Sequence, residues 1–137
     1  MEWKNDNFLI SDDPNLVDTT QVHKLLSETY WGVRRPIEVV EEMIKPSICF
    51  TLFADDTQIG FARALTDKVA FSWIADIVIT PEYRGMGLGK WMLECVLNHP
   101  DVVNTQKVLQ TRDAHEYYEK FDFSGNPALM STKVEGL

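Results

Sequence analysis

Val78-Ile-Thr-Pro-Glu-Tyr-Arg-Gly-Met-Gly-Leu-Gly-Lys-Trp91 decides how this chain is read. It follows a run of branched apolar residues, Ile74 to Ile79, which predicts a buried strand. Thr80 and Pro81 close that strand, since proline has no N–H to give to a ladder. Lys90 to Leu97 then has the apolar spacing of an amphipathic helix. Between them stand Arg84, Gly85, Gly87 and Gly89. Glycines let main chain approach a ligand closely, and the first N–H groups of a helix have no internal partner. A glycine turn from strand to helix is therefore a place for a phosphate or pyrophosphate.

Outward from that stretch the chain alternates between elements. Phe8 to Ile10 reads as a first strand ended by Ser-Asp-Asp-Pro. Leu16, Val17, Val22, Leu25, Leu26 and Tyr30 fit a helix, with Asp18 near its start. Ile37 to Ile44 is a second helix after Pro36. Ser47 to Ala54, Gln58 to Leu65 and Val69 to Ile79 are strands joined by short turns, with Gly60 marking a weak point or bulge. Beyond the glycine turn and its helix come a strand from Gln106 to Thr111 and a short helix from Ala114 to Phe121, capped by Asp113. A last strand is expected within Phe123 to Val134. The order βααβββαβαβ predicts an α+β fold with a mixed, mostly antiparallel sheet flanked by helices.

At 137 residues the chain reads as a single domain, residues 1–137. A net charge of −8 argues against nucleic acid and against an anionic membrane surface. It points weakly to a neutral or cationic substrate, although solubility alone accounts for it. Cys49 and Cys95 lack metal-ligand spacing and a disulfide pattern, and the three histidines form no metal motif. The N-terminal residues carry no secretory signal and no apolar run reaches membrane-span length, so a cytoplasmic location is expected.

Arg84-Gly-Met-Gly-Leu-Gly89 resembles the acyl-CoA-binding signature Gln/Arg-x-x-Gly-x-Gly/Ala of the GNAT N-acetyltransferases. Thr111 to Phe123 looks like that family's Ala-x-x-Phe-Tyr-x-Lys-x-Gly-Phe segment, with Asp122 in place of glycine and Tyr117 in place of phenylalanine. Gln58-Ile-Gly-Phe-Ala-Arg63 is similar to its third-strand pattern. The resemblance implies the GNAT acyl-CoA N-acyltransferase fold and transfer of an acetyl group from acetyl-CoA to an amine. It implies no metal and no acyl-enzyme cysteine. Its acceptor is a small-molecule or peptide amine, and a second copy of the chain is among the partners it implies, because small members of the fold often dimerise.

By that resemblance Arg84, Gly85, Met86, Gly87, Leu88, Gly89 and Lys90 would hold the CoA pyrophosphate, mostly through main-chain N–H groups. Ile77, Val78 and Ile79 would offer main-chain hydrogen bonds to pantetheine, and Asp113, Tyr118 and Lys120 complete the donor site. Tyr118 would protonate the leaving thiolate. Asp76 and Glu28 are alternative general bases, and a water chain is a third route. Tyr30, Trp31, Arg34, Arg35 and Trp73 would line the acceptor site. The aromatic rings there suit an apolar or cationic acceptor and the arginines an anionic one, so the acceptor stays open. A CoA-binding module without catalysis is the competing reading, and a nucleotide-phosphate binder a third. A dinucleotide site fits worse, because the glycine spacing and the preceding elements differ from a Rossmann unit.

Overall fold

A computed structural model describes residues 1–134. Six strands form one sheet in the order β1 (Glu2–Asn5), β2 (Phe8–Ser11), β3 (Ile48–Ala54), β4 (Thr57–Thr66), β5 (Phe71–Ile79) and β6 (Gln106–Val108). Every neighbouring pair is antiparallel except β5 with β6. That parallel step is made by a crossover through a helix, α3 (Leu88–Leu97), as parallel neighbours require. The fold is therefore α+β, as the order of the sequence signals predicts.

Helices cover both faces. Met92, Leu93 and Val96 of α3 pack with Ile10, Phe50, Leu52, Ala62, Ala64 and Ile74 in the larger core. On the other face α1 (Thr19–Ser27) and α2 (Ile37–Ile44) enclose Val22, Leu25, Leu26 and Val40 with Phe61 and Val78. A sheet buried on both sides has no polar face, which is why β3 and β4 read as nearly continuous apolar runs. Asp18 caps α1 by accepting from the Gln21 N–H.

Three sequence expectations need correction. Glu2–Asn5 is an edge strand paired with β2, and its charged, half-exposed residues hide it from an apolar count. Residues 123–134 contain no strand, and Phe123 to Asn126 with Leu129 line a cleft instead. The last helix, α4 (His115–Glu119), starts at Ala114 with no side-chain cap, and Thr111 Oγ1 rather than Asp113 accepts from the Ala114 N–H. Asp122, in the place of the family's glycine, adopts φ +68°, a left-handed conformation that aspartate tolerates better than most residues.

Two bulges shape the sheet. At the first, Leu52 faces Gly60 while Phe53 faces Gln58, leaving Ile59 as the extra residue on β4. Gly60 is needed there for close approach: a Cβ would lie 2.9 Å from Ile79 Cδ1 and 3.1 Å from the Val78 carbonyl oxygen. The second bulge is on β5, where Phe61 pairs with Val78 but Arg63 with Ala75, so Asp76 and Ile77 share one partner position. Gly60→Val should lower stability by about 1–3 kcal/mol through overpacking, measured as a drop in the urea midpoint with unchanged slope.

Candidate functional site

The β5 bulge exchanges the two faces of its strand. Before it, Ile74 belongs to the α3 core, and after it Ile77 and Ile79 do, while Val78 packs with α1 and α2. Strict alternation from Ile74 would point Asp76 into the α3 core. The extra residue turns it to the opposite face, at φ +58°. There its carboxylate accepts from Trp31 Nε1 (3.0 Å) and Arg35 Nη1 (2.8 Å) on Oδ1 and from Arg63 Nε (2.6 Å) on Oδ2. The Asp76 side chain is 1% exposed.

β6 pairs with β5 only through Phe71, Ser72 and Trp73. It ends at Val108, short of the predicted Thr111, so the far half of β5 has an open edge. The Thr80 N–H reaches Ile59 of β4 (2.8 Å), so by alternation the main-chain groups of Ile79, and of Ile77 two residues back, face that open edge. The Ile79 carbonyl indeed accepts from Arg84 Nε at 3.0 Å rather than from a strand. Val78 is turned the other way, its carbonyl beside Gly60 of β4, so of the three expected strand residues its main chain is not on offer.

The open edge runs into the glycine turn. Gly85 and Gly87 have φ of +81° and +79°, which L side chains rarely adopt, and a Cβ at either would meet nothing within 4 Å. Glycine is thus demanded by backbone angle, with empty space above the turn. Gly87 is the N-cap of α3 and offers no side chain, and the first main-chain bond of the helix runs from the Trp91 N–H to the Gly87 carbonyl. The Leu88, Gly89 and Lys90 N–H groups therefore have no internal acceptor. Together with the helix dipole they form an unfilled anion cradle. Leu88 takes part through main chain alone, its side chain being buried in the core.

A cleft of about 1540 Å³ follows the gap between β5 and β6. It brings together Tyr30, Trp31, Trp73, Asp76, Ile77, Asp113, Tyr118 and Lys120 of the expected site residues. Val78, Ile79 and the residues of the turn are outside its lining, and Lys90 borders a smaller cavity between α3 and α4 with Lys120 and Tyr117. Glu28 is exposed at the end of α1 and does not line the cleft, nor does the exposed Arg34. Arg35, expected beside Arg34, does line it. Arg63 also does, a residue the sequence reading left without a role. Its signal was present: Arg63 and Asp76 are opposite charges, each inside an apolar strand run, and buried charges need partners.

Tyr118 is half-buried beside the larger core, with its ring edge-on to Tyr117 and Phe123. Burial first, then the neighbouring Tyr117 and Tyr30, raises its phenol above the usual value of 10.0, so it keeps its proton at neutral pH. Burial pushes the thiols of Cys49 and Cys95 up to about 11, which leaves both inert as nucleophiles. No group of histidine, cysteine and acidic residues among the described residues could hold a metal. No helix among them is long and apolar enough to cross a membrane.

A family model for the acetyltransferase (GNAT) domain matches residues 45–124, from the end of α2 through the glycine turn to α4. The chain belongs to the GNAT acetyltransferase family. A crystal structure of a Xanthomonas campestris protein assigned to that family is 34% identical, with 95% of each chain covered and a TM-score of 0.88. An uncharacterised N-acetyltransferase, ycf52, of Gracilaria tenuistipitata var. liui is 31% identical over 81% of this chain and 64% of its own length. An acetyltransferase relative in Gibberella zeae is 29% identical over 70% of this chain. This GNAT chain spans 65% of the Gibberella relative's length.

The ion-pair cluster makes a stability prediction. Asp76→Asn keeps a residue that tolerates left-handed backbone but leaves two guanidiniums without a counter-charge, and should cost about 3–5 kcal/mol. Asp76→Ala should cost more, by about 1 kcal/mol of added left-handed strain. Urea unfolding of the two variants measures both values.

Proposed function

We propose that this GNAT chain is an acetyl-CoA-dependent N-acetyltransferase, in which a bound amine attacks the thioester directly. One observation carries the reading: the open edge of β5 starts at Ile77, in the cleft that holds Tyr118, and ends at Ile79, whose carbonyl accepts from Arg84 at the head of the uncapped glycine turn. The cradle fits a pyrophosphate, because the N–H groups of Leu88, Gly89 and Lys90 and the empty space over Gly85 and Gly87 suit a bulky anion at close range. Ile77 and Ile79 offer main-chain groups spaced for an extended amide-bearing arm, as a neighbouring strand would use them.

Acetyl-CoA supplies an activated carbonyl whose leaving group is a thiolate. The chain orients it and manages protons. The new C–N bond forms as the C–S bond breaks, and the electron pair of that bond leaves with sulfur. Tyr118, held protonated by its half-buried setting, gives its phenolic proton to the sulfur and regains one from solvent. The acceptor's surplus proton passes to water. Asp76 is not assigned that task, since Trp31, Arg35 and Arg63 occupy both its oxygens, and Glu28 lies outside the cleft.

Acetyl-CoA should raise the melting temperature, and Arg84→Glu, which sets a negative charge beside the cradle, should abolish that rise. Tyr118→Phe should keep the rise yet lose about 10²-fold or more in kcat, read by thiol release. Loss of binding in Tyr118→Phe, or undiminished turnover, would contradict the assignment. With the phenol raised above 10.0, activity should climb with pH as the amine deprotonates, with no alkaline fall from Tyr118 below about pH 10.

A further inference from the structure

We infer that the acceptor carries an anionic group, a carboxylate or a phosphate, which binds to Arg35 and Arg63 on the α1–α2 side of the cleft. The inference rests on the acetyltransferase reading and names its substrate class. Arg35 and Arg63 line the cleft with side chains 14% and 16% exposed. Asp76 supplies one negative charge against their two. Arg35 spends only Nη1 on it, so its Nε and Nη2 groups have no partner among the described residues. Neither atom is fully buried. Arg63 uses Nε on Asp76 and Nη1 on Ser47 Oγ (3.3 Å), which leaves Nη2. A guanidinium fixed by a carboxylate behind it, with two adjacent donors in front, is pre-organised for a two-oxygen anion.

The aromatic wall points the same way. One of its aromatic faces is already taken by a cation, since the Arg112 guanidinium lies over the Tyr30 ring, 3.7 Å from its centre. The Arg112 main-chain N–H also donates to Tyr30 Oη at 3.3 Å, holding the β6–α4 segment against the α1–α2 loop. Arg112 thus adds a third positive charge beside Tyr30, paired with Asp113. At this end of the cleft the three arginines outnumber the two carboxylates Asp76 and Asp113, while Glu94, Glu119 and Asp122 outweigh Lys107 and Lys120 on the remaining lining.

The test uses matched amines, β-alanine against β-alaninamide and phosphoethanolamine against ethanolamine, in thiol release with wild type, Arg35→Gln and Arg35→Lys. At least one anionic member should exceed its neutral partner about tenfold or more in kcat/KM. Arg35→Gln should erase that preference through KM, and Arg35→Lys, which keeps the charge and the ion pair, should restore part of it. Which pair responds separates carboxylate from phosphate. Equal use of neutral amines, or a preference unchanged in Arg35→Gln, overturns the inference. Calorimetric titration with N-acetyl-β-alanine and with inorganic phosphate, against N-acetyl-β-alaninamide, decides it without turnover: saturable binding of an anion lost in Arg35→Gln supports it, and no anion binding refutes it. Failure of acetyl-CoA to shift the melting temperature instead refutes the acetyltransferase reading, so the two failures are told apart.

Discussion

Asp76 sits in left-handed backbone at a bulge in the middle of the sheet, and two guanidiniums and an indole hold it there. An L-residue in that conformation costs about 1–2 kcal/mol. Hydrogen bonds to a charged group contribute about 1.5–3 kcal/mol each, so the two arginines more than offset the strain. The arrangement has consequences on both sides of β5. Behind the bulge, strand order resumes with the faces exchanged, so Ile77 and Ile79 pack against α3 and their main chain faces the gap beside β6. In front of it, Trp31 and Arg35 draw the loop between α1 and α2 down onto the cleft. One side chain therefore fixes the geometry of the open β5 edge and of the arginine-lined wall of the cleft.

The proposed donor half depends on groups that carry no side-chain chemistry. The turn works through glycine angles, unfilled helix N–H groups and an unpaired strand edge. On the proposed function, a protein of net charge −8 would hold a polyanion here through partial charges on fixed amides, which need no formal positive residue. The acceptor half is different. It concentrates arginines around Asp76 and Tyr30, against the sign of the whole chain.

Much of this was legible in the sequence where local rules decide. The Ile37–Ile44 helix, the three central strands and the strand–glycine–helix passage follow from periodicity and from the special backbone angles of glycine. The edge strand Glu2–Asn5 escaped because edge strands are kept polar, although Asp6 between Trp3 and Phe8 marked the turn. The shortness of β6 and the strandless tail were not legible, since pairing partners determine them and local propensity does not. For the site, Tyr118 and the turn came from a motif and Arg35 from the loop between the first two helices, whereas the place of Arg63 depended on a bulge that no spacing rule reveals. Asp76 was singled out in sequence for proton transfer, and its place between Arg35 and Arg63 makes it a clamp.

The central claim is that the open edge of β5 and the first turn of α3 together hold the acyl donor. Amide hydrogen exchange with and without acetyl-CoA tests it residue by residue. The account predicts slowed exchange at Ile77, Ile79, Leu88, Gly89 and Lys90, with Val78, already directed at β4, little changed. Protection confined to other elements, or none at these amides at saturating acetyl-CoA, would contradict it.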